Sequence, residues 1–112
     1  MSGKIKGMIV YPGKAPKWIT LDNTLEALQY EVGGYLEPIP CISTNIKALC
    51  DGDGKYKKLD PNFMIADVPI VGTVLFLGLN ALGDDFGDLP ARYATPIVDL
   101  VNKVREALKW AE

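Results

Sequence analysis

A chain of 112 residues with 48% hydrophobic and 23% charged side chains is long enough for one domain with its own apolar core. That excludes a disordered tract and a miniature fold dependent on disulfides. A formal charge of −2 and a complete lack of histidine speak against a dedicated DNA binder and exclude Ser-His and Cys-His catalysis.

The longest apolar run, Val68 to Leu79, is interrupted by Pro69, Gly72, Thr73 and Gly78 and is too short to span a bilayer. The N-terminal MSGKIKGMIVYPG lacks the apolar stretch of a secretory signal, so the expected address is the cytoplasm. Cys41 and Cys50 form no CxxC motif, and without histidine a zinc site would lack its ordinary ligands. Both cysteines read as small buried apolar residues, with a redox or disulfide role as the alternative. No metal and no cofactor is expected.

Lys4 to Tyr11 reads as a strand, and Tyr11-Pro12-Gly13-Lys14 fits a type II turn with proline second and glycine third. Lys17 to Leu21 (KWITL) is a second strand, so the chain opens with a hairpin. A helix follows. Asn23 and Glu26 have capping-box spacing, Asp22 adds charge at the positive end of the dipole, and Leu25, Leu28 and Val32 recur on one face. Gly33 is the stop. Tyr35 to Ile39 returns as a strand that Pro38 and Pro40 assign to a sheet edge.

Asn45 to Cys50 alternates as a strand. Asp51-Gly52-Asp53-Gly54 is a turn into a short Lys55 to Leu59 strand, giving a second hairpin. Ile70 to Leu77 (IVGTVLFL) is apolar at nearly every position, the mark of a central strand covered on both faces. After an acidic loop from Gly83 to Leu89 comes a C-terminal helix over about 95–111, with Thr95 as its cap and Pro96 in its first turn. Its apolar stripe is Ile97, Leu100, Val101, Val104, Ala107, Leu108 and Ala111. The order ββαβββα predicts one α+β domain over 1–112, with a mostly antiparallel sheet of about five strands and both helices packed on one face.

Motifs for chemistry are weak. Asp51-Gly52-Asp53 opens like a calcium loop, but the fifth position is Lys55 and the twelfth Asn62, where an EF-hand needs oxygen ligands and a glutamate. Asp84, Asp85 and Asp88 read as solvated loop charge. No spacing points to catalysis, and an enzyme is not expected. Charge is segregated, however. Residues 1–20 hold Lys4, Lys6, Lys14 and Lys17 and no acid, whereas 21–37 hold Asp22, Glu26, Glu31 and Glu37 and no base. A second basic cluster, Lys55, Lys57 and Lys58, adjoins Tyr56. Lysines interleaved with aromatic residues on strands suit a phosphorylated ligand or nucleic acid, against the simpler reading that they protect sheet edges. The candidate binding residues are Tyr11, Trp18, Lys55, Lys57 and Asn62, with Arg92 as an anion clamp.

The blocks DNTLEALQ–VGGYLEPIP, DGDGKYKKLDPN and IVGTVLFLG, in this order and spacing, resemble the family of domain of unknown function 3846 over about residues 4–88. That region ends near the acidic loop and leaves the 95–111 helix outside it. The resemblance implies a small accessory protein of bacterial phages, plasmids and mobile elements, and brings no site residues with it. Together with the basic hairpins it predicts a non-enzymatic protein that binds a host protein or sequesters a small phosphorylated ligand, with counter-defence as one such role. The alternatives are a nucleic-acid binder using the lysine-rich hairpins and a structural homodimer.

Overall fold

The computed structural model describes residues 3–39, 45–54, 56–65, 68–83 and 85–110. The elements, in chain order, are β1 (Lys4–Val10), β2 (Lys17–Asp22), α1 (Leu25–Val32), β3 (Leu36–Pro38), β4 (Ile46–Asp51), β5 (Pro61–Ile65), β6 (Val68–Val71), β7 (Val74–Leu79), β8 (Phe86–Gly87) and α2 (Ala94–Trp110). The main sheet runs β2-β1-β7-β4-β3 with antiparallel neighbours, and β8 adds to β7. The α+β class, the antiparallel sheet and the two helices agree with the sequence reading. Among the described residues no helix is long and apolar enough to cross a membrane.

The opening hairpin, the glycine stop and the β3 edge also form as expected. Gly33 takes φ 94°, and its N–H returns to the Gln29 carbonyl, a conformation that glycine adopts without steric cost. The cap differs by one residue. Thr24, not Asn23, accepts the Ala27 N–H through its hydroxyl. The Asn23 amide is turned instead to Asp85 Oδ2 and the Phe86 carbonyl, which ties the start of α1 to β8. At the other helix a 3-10 turn over Ala91–Tyr93 starts the coil early. Thr95 and Pro96 therefore fall inside the first turn of α2, where an absent N–H is tolerated.

Two strand expectations fail for local reasons. The segment Ile70 to Leu77 is not one strand. Gly72 at φ 76° breaks it into β6, which pairs with β5, and β7, which enters the main sheet. The Lys55 to Leu59 strand does not form over its described residues, 56–59, either. Lys57 N–H reaches the Asp53 carbonyl and Leu59 N–H the Gly54 carbonyl, closing local turns, while both edges of β4 are already taken by β3 and β7.

The helices lie on opposite faces of the sheet, not on one. Val74 and Phe76 of β7 join Met8, Val10, Ala48, Phe63, Ile70, Ile97 and Val101 on the side of α2 and the β5–β6 hairpin. Leu75 and Leu77 join Ile5, Ile9, Leu21, Leu28, Val32 and Leu49 on the α1 side. Consecutive side chains of a strand point to opposite faces, so a strand apolar at every position needs two covers.

Asn62 fastens the α2 side. It is 4% exposed, and its amide donates to the carbonyls of Val10 and Gly72, each at 2.8 Å. Its Oδ1 accepts from Arg105 Nη2 at 2.6 Å. Arg105 also donates to the carbonyls of Tyr11, Lys14 and Asn62, so α2, the β1–β2 turn and β5 meet at one guanidinium. Asn62→Ala should destabilise the fold by about 3 kcal/mol, because it strands buried carbonyls and the guanidinium together. Urea unfolding should show a lower midpoint at unchanged slope. The loss in N62A/R105A should be smaller than the sum of the two single losses.

Candidate functional site

The structure does not gather the sequence candidates into one site. Lys55 lies outside the described residues. Trp18 is 45% exposed on β2, opposite Met8. Arg92 sits in the 3-10 turn with its guanidinium 4.9 Å from the Tyr93 ring, beside a shallow depression rimmed by Asn45, Asn80 and Gly83. Tyr11 and Asn62 do come together, at Arg105, but what they offer there is bonded within the fold. Asn62 is a buried bracket and not an exposed ligand contact.

Three of the lysines are engaged as well. Lys4 pairs with Asp22 at 3.0 Å, Lys17 lies 5.3 Å from the centre of the Tyr11 ring, and Lys57 is bound to Asp51 at 2.7 Å. The acidic loop is not simply solvated charge: Asp88 accepts the Lys6 N–H and Asp85 accepts the Phe86 N–H.

A further concavity lies elsewhere. A groove of about 530 Å³ opens between the β3–β4 edge and β6. Pro38 and Ile39 form one wall, Pro69, Ile70 and Val71 the other, and Cys50, Asp51 and Gly52 the floor, with Tyr56 at the rim. Tyr56 is 88% exposed. Glu37 and Asp51 are the charged residues of the described lining, and the Cys50 thiol is 4.0 Å from Glu37 Oε2. Sequence reading missed this groove because one wall, β6, was placed inside a longer central strand. Its other parts, Cys50 apart, come from two of the family-like blocks, VGGYLEPIP and DGDGKYKKLDPN.

Asp51 holds those two blocks together. Its side chain is 1% exposed. Oδ1 accepts the Asp53 N–H at 2.9 Å, and Oδ2 accepts from Lys57 Nζ, which also donates to the Gly33 carbonyl at 3.1 Å. The carboxylate packs so closely on Gly34 that a Cβ there would collide with it. The glycine pair after α1 thus serves two ends: Gly33 turns the chain and Gly34 admits the aspartate.

The hydrogen bond to Asp51 raises the Lys57 pKa above its ordinary 10.5, outweighing the desolvation that opposes it. A raised lysine pKa contributes stability that is fully present below 10.5 and is lost as pH climbs through the raised value. Lys57→Met should therefore be less stable than the parent protein at neutral pH. The gap between their urea midpoints should close as pH passes above 10.5; a gap that persists there would show that the charge pair is not its source.

Comparison with known proteins adds a family. The model of the family described as domain of unknown function (DUF3846) matches residues 5–102, and so extends past the acidic loop into α2. No curated protein and no solved structure was found to match the chain. With nearly the whole described fold inside that match, the chain belongs to the DUF3846 family.

Proposed function

We propose that this is a non-enzymatic binding protein of bacterial phages, plasmids or related mobile elements, acting in the host cytoplasm. Its role is to hold a short segment of a host protein in the groove between the β3–β4 edge and β6. The observation that carries this reading is the make-up of the groove. Apolar walls stiffened by Pro38 and Pro69, an exposed Tyr56 ring and the Glu37 carboxylate converge on one opening.

Apolar clefts with a few fixed polar groups are the usual form of a binding site. Asp51 is already paired with Lys57, which leaves Glu37 to set the charge preference. An extended segment with apolar side chains and one lysine or arginine suits that chemistry. A small phosphorylated ligand suits it less, because the described lining carries two carboxylates and no cation. Interference with a host defence is one outcome such binding would have.

A library of displayed linear peptides, panned on the purified protein, tests the reading. Enriched peptides should combine apolar and basic residues. Their affinity should fall by about an order of magnitude in Glu37→Lys and in Tyr56→Ala, a loss of about 1.4 kcal/mol. Both positions are exposed, so the fold should be unaffected. Enrichment of no peptide, or binding indifferent to both substitutions, would overturn the assignment.

A further inference from the structure

The outer edge of β2 is a second surface, and its chemistry can be read from the ladder. Asn23 donates its N–H to the Gly3 carbonyl at 2.7 Å, in continuity with the register Lys4↔Asp22 through Ile9↔Lys17. Backbone groups of an antiparallel strand alternate between its two sides. Asn23, Leu21, Ile19 and Lys17 therefore face β1, and the N–H and C=O groups of Trp18, Thr20 and Asp22 face outward. On β1 the same alternation is visible: Lys6, opposite Thr20, turns its N–H to Asp88 and its carbonyl to Leu89.

β2 ends the sheet, and all three outward residues are exposed. No described residue bonds to their six backbone groups. Edge strands are ordinarily blunted by charged side chains, a bulge, a proline or a covering element. β2 has six residues in unbroken register and no proline, and its charges, Lys17 and Asp22, stand only at its two ends.

We propose that this edge pairs antiparallel with the same edge of a second copy of the chain, about a two-fold axis at Thr20. The sequence selects that register. Centred on Thr20, the outward groups of Thr20 meet those of Thr20 in the second copy, and Trp18 meets Asp22, so all six groups of each copy are bonded. Centring on Ile19 would set Asp22 against Pro16, which has no N–H to give. Centring on Leu21 would set Trp18 against Thr24, where the chain turns into α1.

The side chains agree with the Thr20 register. Half-buried Ile19 falls opposite Leu21, Lys17 opposite Asn23, and no like charges are opposed. A self-complementary patch is what a two-fold dimer requires.

Sedimentation of the full chain over a micromolar concentration series should show a dimer. Thr20→Lys and Thr20→Glu each put like charges face to face at the axis and should each raise the dissociation constant by about an order of magnitude or more. Mixing T20K with T20E in equal amounts should restore the dimer. Thr20 is exposed, and unchanged circular dichroism would confirm that the variants fold. Mild oxidation of Thr20→Cys should give a covalent dimer that the parent protein does not, since hydrogen-bonded pairs lie about 5.5 Å apart, within disulfide reach. A chain that stays monomeric throughout overturns the proposal. So does a dimer that is indifferent to all three substitutions.

Discussion

The fold is governed by one constraint: β7 is apolar on both faces. Val74, Leu75, Phe76 and Leu77 are all essentially inaccessible to solvent. Burying side chains of this size contributes about 1.5–3 kcal/mol each, so neither face can be left to water. β1 and β4 flank β7 in the sheet. α1 with Leu21 then closes one side, and α2 with the β5–β6 hairpin closes the other. The excursion of the chain through β5 and β6 follows from the same demand, since α2 alone does not supply Phe63 and Ile70 to the larger core.

Charged and amide side chains hold these covers in place. Arg105 and Asn62 lock α2 to the β1–β2 turn and to β5. Asp88 takes the N–H that β1 would otherwise leave unpaired at Lys6, and Asp51 joins the α1–β3 turn to the end of β4. A polar group buried with its partners adds modestly to stability, whereas one left unpaired is costly. Residues that look chemically promising in the sequence are thus spent on architecture. This is why Asn62, chosen for its type, is buried within the fold, and why Lys57, though partly exposed, is engaged by Asp51.

Much of the fold was legible, because periodicity and punctuation act locally. The β1–β2 hairpin, α1 with its glycine stop, the proline-marked β3 edge and the two-faced centre of β7 all follow from short windows of sequence. The β5–β6 hairpin did not, because Pro61 and Pro69 argue against strands and Gly72 hides a reversal inside an apolar run. The placement of the helices on opposite faces was not legible either: periodicity shows that a stripe is apolar, not which side of a sheet it covers. The groove shared that fate, being formed where β6 meets residues brought from β3 and β4. Arg105 gave no sign at all, since an arginine on the polar side of a helix reads as solvated.

The two proposed surfaces lie at opposite ends of the sheet, and the geometry of that separation has a consequence. β2 and β3 are the terminal strands of the five-strand path, four spacings or about 19 Å apart. Pairing through β2 would leave the β3 groove uncovered in each copy, so the proposed self-association and partner binding would not compete. A dimer would instead carry two grooves at the far ends of one continuous sheet, about 43 Å apart across nine spacings. Two sites held at a fixed distance favour a partner that is itself repeated or dimeric, because the second contact forms at a high effective concentration. Each groove, with its few polar anchors, can then bind weakly while the assembly holds its partner tightly.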